Sequence, residues 1–158
     1  MSETRLSAYD QAVKLLAQRA HLRREVEQKL LRRGYPGDEI EAALGRLAEQ
    51  GYLDDARVAG DYAAGRAARG GEGARRLRAE LLRRGADPET ADEAVSAAVP
   101  DDDRELALEA ARLWLARGGH DPAALARHLD RKGFTRRAIY AALKELELPQ
   151  PELGDDEG

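Results

Sequence analysis

The sequence predicts an all-α fold of three tandem three-helix repeats, joined in an elongated array that is straight or curved. Composition is the first reason: 42% of residues are hydrophobic and 35% charged, but only 4% are aromatic. A mix heavy in Ala, Leu, Arg and Glu favours helix, and Val, Ile, Thr, Phe and Tyr are too few for a sizeable sheet. Self-similarity is the second. When Gly34, Gly85 and Gly133 are aligned, Val26, Leu77 and Leu125 stand eight residues before them, and Leu30, Leu81 and Leu129 four before. Ile40, Ala91 and Ile139 follow six after, Leu44, Val95 and Leu143 ten after, and Leu47, Ala98 and Leu146 thirteen after. These offsets trace an apolar helical stripe, a break, and a second stripe. The third is punctuation at each break, where Arg32-Arg33, Arg83-Arg84 and Arg131-Lys132 precede the glycine. Cations there oppose the negative end of a helix dipole, and glycine takes the left-handed turn that closes the last carbonyls.

The elements follow in order. The first repeat, residues 1–53, opens with a helix over Leu6 to Arg19 that has Tyr9, Ala12, Val13 and Leu16 on its apolar side. Its second helix ends at Gly34, and the third begins after Pro36. The second repeat, residues 54–99, starts behind Asp54-Asp55 and carries Val58, Ala59 and Tyr62 before the Gly70-Gly71-Glu72-Gly73 break. That break reads as a flexible hinge. Asp87 and Pro88 suit the cap and first position of the next helix. The third repeat, residues 100–148, begins with Asp101 to Asp103 as capping acids and presents Leu106, Ala110, Leu113 and Trp114 to its core. Gly118-Gly119 ends that helix, Asp121-Pro122 starts another, and Thr135 caps the last. Residues 149–158, with two prolines, two glycines and four acids, read as a disordered acidic tail.

Net charge is −4, from 26 basic and 30 acidic residues. The tail holds four of those acids (Glu152, Asp155, Asp156 and Glu157) and no base, so the body is neutral. Charge within the body is uneven: seven arginines lie between Arg66 and Arg84, against Glu72 and Glu80. Such a cluster suggests an acidic protein surface or polyanion as partner, with a merely solvated arginine face as the plainer alternative.

Chemistry is harder to find. The absence of cysteine removes disulfides, thiolate zinc sites and thiol nucleophiles. His21, His120 and His128 are scattered without a ligand at helical spacing, so no metal or cofactor is expected, and His21 and His128 read as surface residues. Ser2, Ser7 and Ser96 have no histidine beside them to act as base. The glycine-rich break lacks the Gly-Lys-Ser/Thr ending of a phosphate loop. Trp114 and the tyrosines fall mostly on apolar stripes, where core packing is the simpler role. No apolar N-terminal stretch and no run of about 18 apolar residues is present, so a soluble, cytoplasmic, monomeric binding protein is expected and not an enzyme.

The stretch from Gly51 to Val95 resembles the central block of the RecX family, whose members carry a G-L-x-D-D-x-R-F-A segment, a tyrosine and arginine on one helix, a glycine turn and an E-L-x-x-K-G-I-like helix end. The matching positions are Gly51, Leu53, Asp54, Asp55, Arg57, Ala59, Tyr62, Arg66, Gly71, Gly73, Glu80, Leu81, Arg84 and Gly85. Arg19, Glu25, Leu30 and Gly34-Tyr35 resemble the family's opening, and the likeness covers Ala8 to Leu146. Val58 stands for the usual phenylalanine, Leu22 for a serine, and Gly71-Glu72-Gly73-Ala74 for an aromatic-Gly-Pro turn.

The resemblance implies a regulator of the RecA recombinase, with roles in DNA repair, homologous recombination and the SOS response. It would bind the RecA filament on single-stranded DNA and inhibit strand exchange, ATP hydrolysis and coprotease activity. Candidate partner contacts are Arg66, Arg69, Arg75, Arg76, Arg78, Arg83 and Arg84, followed by Arg32, Arg33, Arg131, Lys132, Arg136 and Arg137. Asp54, Asp55 and Arg57 are expected to form a structural junction that sets the angle between repeats. Two alternatives stand beside this reading: a direct DNA-binding protein, and a helical-repeat scaffold for another partner. A weak direct DNA contact is compatible with the first reading.

Overall fold

The computed structural model describes residues 4–99 and 102–154, and among these every regular element is helical. The helices are α1 (Ala8–Gln18), α2 (Arg23–Arg32), α3 (Gly37–Glu49), α4 (Asp55–Arg69), α5 (Ala74–Arg84), α6 (Pro88–Ala98), α7 (Arg104–Ala116), α8 (Pro122–Arg131) and α9 (Arg136–Glu145). They group by threes around three hydrophobic clusters. Val26, Leu30, Leu44 and Leu47 lie in the first, Leu77, Leu81 and Val95 in the second, and Leu125, Leu129, Ile139 and Leu143 in the third. These are the aligned apolar positions of the repeat.

The expected caps form as hydrogen bonds. Asp87 accepts from the Thr90 amide at 3.0 Å and Thr135 from the Ala138 amide at 3.2 Å. Gly34, Gly85 and Gly133 take φ of +79°, +105° and +84°, the left-handed turn that spares them a Cβ clash.

The opening helix of each triplet buries a different stripe from the one its larger side chains suggest. In α1 the buried residues are Ala8, Ala12 and Leu15, while Val13 is 41% exposed. In α7 they are Ala107, Ala110 and Ala111, with Leu113 53% exposed. In α4 they are Ala59 and Ala63, with Val58 and Tyr62 at the margin. Alanine faces let these helices approach their neighbours closely, and interaxial distance depends on the side chains at the contact.

Three further expectations are corrected. His21 is buried rather than on the surface: its Nδ1 lies 2.8 Å from the Arg19 carbonyl and its Nε2 2.9 Å from Lys29 Nζ. That pairing requires Nδ1–H to donate and Nε2 to accept, so the ring is neutral. Burial chiefly, with the Arg19 and Lys29 charges behind it, pushes its pKa below the usual histidine value. The Gly70–Gly73 break is pinned rather than a flexible hinge. Arg66 and Arg76 hold Glu72, and the Gly73 amide donates to the Lys132 carbonyl at 2.9 Å. The tail is not free over its first part, because Tyr140 donates to the Pro151 carbonyl and accepts from the Leu153 amide, each at 3.2 Å. Leu153 adds apolar burial there. Asp101 and residues 155–158 lie outside the described residues.

Candidate interaction surface

The first amides of a helix have no partner within it and must find one elsewhere. In α2 the Arg23 amide donates to Asp55 Oδ1 at 2.8 Å, although Asp55 begins the next triplet. In α5 the Ala74 amide donates to Asp103 Oδ2 at 2.9 Å, again from the following triplet. The Gly73 and Arg75 amides donate to the Lys132 and Gly133 carbonyls. Thus α5 starts on a glycine with no side-chain cap of its own because the third triplet supplies one. In α8 the pattern changes, and its own Asp121 accepts from Ala123 and Ala124.

These bonds give the Arg-Arg-Gly turns a second job. A Cβ on Gly85 would lie 2.8 Å from Arg24 Cβ, and one on Gly133 would lie 2.4 Å from Arg76 Cβ. Each turn therefore seats against the start of the preceding triplet's middle helix. At Gly34, in the first triplet, Arg5 occupies the position: it donates to the Arg33 carbonyl at 2.5 Å and lies over the Tyr35 ring at 4.3 Å.

Within the expected junction, Asp54 caps α4 through the Arg57 amide at 3.1 Å, Asp55 reaches across to α2, and the Arg57 side chain is exposed. Asp103 does not cap α7 as expected. Asp103 adopts φ +53° and makes no side-chain cap to α7. It is buried, and its carboxylate accepts from Ala74 and from both the Thr135 amide (3.4 Å) and hydroxyl (2.9 Å). Burial raises its pKa, and those hydrogen bonds only partly offset the rise.

The arginines of the middle triplet spend their charge inside the molecule. Arg66 pairs with Glu72 (Nε to Oε2, 3.0 Å), Arg75 with Asp130 at 2.9 Å and Arg76 with Glu72 at 3.7 Å. Arg78 meets Asp92 at 2.5 Å, Arg83 meets Glu80 at 2.5 Å and Arg84 meets Glu25 at 2.9 Å. Asp130, Asp92 and Glu25 come from outside the arginine-rich run, so the local excess seen in the sequence is largely neutralised by folding. Arg69 has no such partner among the described residues, and neither have Arg32, Arg33, Arg131 and Lys132. Arg137 lies 3.7 Å from Asp102, and Arg136 donates to the Gly154 carbonyl.

The Arg84–Glu25 pair differs from the others in burial, with side chains 21% and 13% exposed. Glu25 also accepts from the Leu22 amide at 3.0 Å, and Arg84 lies over the Tyr62 ring at 4.8 Å. Burial alone would lift the Glu25 pKa, but the Arg84 hydrogen bond, the Leu22 amide and the Arg84 and Arg19 charges bring it below the usual value. Exposed pairs contribute at most about 1 kcal/mol, and loss of one partner from a fully buried pair costs about 3–5 kcal/mol. With burial between these limits, a double-mutant cycle of Glu25→Gln and Arg84→Met is expected to show a coupling of about 2 kcal/mol in urea denaturation. A coupling near zero would mean the pair does not join the triplets.

Fold and surface together define a helical-repeat protein in which each following unit caps a helix of the one before it, with no cluster of metal-ligating side chains among the described residues. The RecX first three-helix domain matches residues 8–47, and the RecX second three-helix domain matches residues 54–95. The chain is 39% identical over 146 residues to "Regulatory protein RecX" of Chromohalobacter salexigens, covering 90% of this chain and 95% of that one. It is 34% identical over 140 residues to the protein of the same name from Halorhodospira halophila, covering 84% of each. The crystal structure of RecX from Lactobacillus salivarius superposes with a TM-score of 0.82 at 23% identity, over 89% of this chain and 94% of that one. A second crystal structure, of regulatory protein RecX, has a TM-score of 0.77 at 23% identity, over 87% and 71%. This chain belongs to the RecX family.

Proposed function

We propose that this protein binds the RecA filament on single-stranded DNA and lowers its strand-exchange, ATPase and coprotease activities, acting in DNA repair and the SOS response. Its relatives are named as regulatory proteins, and that name supports the regulatory part of the reading. The single observation that carries the filament part is the serial joint. Each triplet is fastened to the next by hydrogen bonds from helix N-terminal amides, so several surfaces are held at fixed spacing. A rigid array favours a periodic polymer over its free subunit, because each contact after the first is intramolecular. Division into units at 53/54 and 99/100, a monomeric state and a cytoplasmic location belong to the same proposal. No described helix is long and apolar enough to cross a membrane.

Candidate contacts remain Arg66, Arg69, Arg75, Arg76, Arg78, Arg83 and Arg84, with Arg32, Arg33, Arg131, Lys132, Arg136 and Arg137 behind them. Internal pairing reorders them for experiment. Reversing Arg75 or Arg84 would disturb a joint, whereas Arg32, Arg33 and Arg69 can be changed without removing an ion pair among the described residues.

The test is ATP hydrolysis by the cognate recombinase on single-stranded DNA with this protein titrated in. Inhibition well below one protein per recombinase subunit is expected, and Arg32→Glu, Arg33→Glu and Arg69→Glu combined should weaken it. No inhibition at excess would reject the reading. Direct DNA binding is the second reading, favoured by unpaired cations on the third triplet.

A further inference from the structure

On the third triplet, the rings of Trp114 and His128 lie with centroids 6.3 Å apart, both partly exposed. Beside them are Arg117, at the C-cap of α7, and Arg131 and Lys132, at the end of α8. None of these three cations has an acidic partner among the described residues. The acids of this helix are engaged elsewhere: Asp130 with Arg75, and Asp121 with the α8 amides and Arg127. Burial lowers the pKa of His128, and the charges of Lys132, Arg131 and Arg117, in that order, lower it further. Those cations thus build a positive potential that the described part of the chain leaves uncompensated. Two helix C-termini return only about half a negative charge each, so about two positive charges remain. Gly119 backs the indole so closely that a Cβ there would lie 2.3 Å from the ring, which fixes its orientation.

The middle triplet is the contrast. It is richer in arginine, yet six of its eight arginines meet an acid. Unsatisfied cations around partly exposed aromatic rings suit a flexible polyanion with planar, stackable groups. Phosphates meet cations, and unpaired bases meet aromatic edges. A duplex keeps its bases stacked, and an acidic peptide would use the cations but leave the rings idle.

We propose that this face of the third triplet binds single-stranded nucleic acid, with Arg117, Arg131 and Lys132 on the phosphates and Trp114 and His128 on the bases. The face lies outside both matched domain segments, 8–47 and 54–95. It needs no recombinase, so it stands or falls independently of the filament reading.

Trp114 is the single tryptophan and reports directly. The full chain is titrated with a thymidine oligonucleotide while indole fluorescence is followed at several salt concentrations. Quenching is expected, with affinity falling steeply as salt rises. Replacing Arg117, Arg131 and Lys132 together by alanine should lower the log–log salt slope by about 2 and the low-salt affinity about tenfold or more. Lys14→Ala, which removes an exposed cation on α1, should leave both unchanged. Matching melting curves and free-state fluorescence show that the variants fold. Should the triple variant melt early, Arg131→Gln with Lys132→Gln carries the same test with a smaller slope change. Absence of quenching, an unaltered slope in the variants, or equal binding of polyglutamate would overturn the proposal. Oligonucleotide binding without ATPase inhibition would keep this surface and reject the filament reading. The reverse result would reject the surface alone.

Discussion

Replacing Gly133 with alanine is expected to destabilise the protein by about 3–4 kcal/mol, among the largest effects of any single methyl group in this chain. Two costs add. At φ +84° the backbone is left-handed, which costs an L-residue with a Cβ about 1–2 kcal/mol. The new methyl would also lie 2.4 Å from Arg76 Cβ and 2.6 Å from the Arg76 amide nitrogen. Neither atom is the end of a flexible chain, so the turn must lift off α5, and forced packing of that kind costs about 1–3 kcal/mol. Lifting it would strain the bonds from Gly73 and Arg75 to the Lys132 and Gly133 carbonyls, at 2.9 and 3.0 Å. Gly118 provides the control, because its φ is +98° but nothing lies within 4 Å of a Cβ there. Gly118→Ala should therefore lose only about 1–2 kcal/mol. Thermal melts read both, since for a chain of this size each kcal/mol moves the midpoint by about 2–4 °C. Equal losses in the two variants would mean the third triplet does not seat on α5 through this turn.

The same turn shows how far the sequence could be read. Alignment on Gly34, Gly85 and Gly133 exposed the repeat, the nine helices of the described residues and the left-handed breaks, because periodicity and glycine chemistry are local signals. The joint itself was hidden. Reading Arg131-Lys132-Gly133 as a helix end is correct within one triplet, but its carbonyls also cap a helix that ended its own sequence signal dozens of residues earlier. A clue was present in register: Asp55 follows Gly34 by 21 residues and Asp103 follows Gly85 by 18, so two acids recur at the start of successive repeats. Both looked like caps of the helix they precede. Only the three-dimensional stacking shows that they reach back to α2 and α5.

The charge pattern misled for a related reason. A count along the chain saw seven arginines against two acids from Arg66 to Arg84. Folding brings Glu25, Asp92 and Asp130 to that run, so its surface is far less basic than its sequence. Meanwhile Arg117, which no sequence pattern marked, ends beside Arg131 and Lys132, read from the sequence as helix-end cations and secondary contacts, around His128. Ala12, Ala59 and Ala110 stood on the expected stripes, but Ala8, Ala63, Ala107 and Ala111 were missed, because hydrophobicity favours leucine and close helix packing favours small side chains. That is why Leu113 and Val13 are exposed where Ala111 and Ala8 are buried.

Asp103→Ala is expected to cost about 3 kcal/mol, by a route that a second substitution can isolate. The wild-type carboxylate serves the Ala74 amide of α5 and the Thr135 amide and hydroxyl before α9, so one side chain holds the second triplet to the third. Removing it strands donors around a buried position, at about 1–3 kcal/mol for each group left unsatisfied. Asp103 already carries a Cβ at φ +53°, so alanine keeps that strain and its loss reports the missing cap. Asp103→Gly loses the same cap but relieves the strain. If capping across the joint dominates, glycine should recover only about 1 kcal/mol of the alanine loss. Full recovery would show that the carboxylate matters little. The pH dependence gives an independent check. Because burial raises the Asp103 pKa, the folded state takes up this proton at a higher pH than the unfolded chain. As pH falls through the window between the raised value and the ordinary aspartate range, wild type therefore gains stability relative to Asp103→Gly. The gap between the two should widen on acidification, opposite in sign to the loss that Glu25, with its lowered pKa, gives against Glu25→Gln. A gap that narrows would mean the carboxylate is stabilised in its charged form, and that Asp103 is a conventional ionic cap instead of a buried acid held in place by the joint.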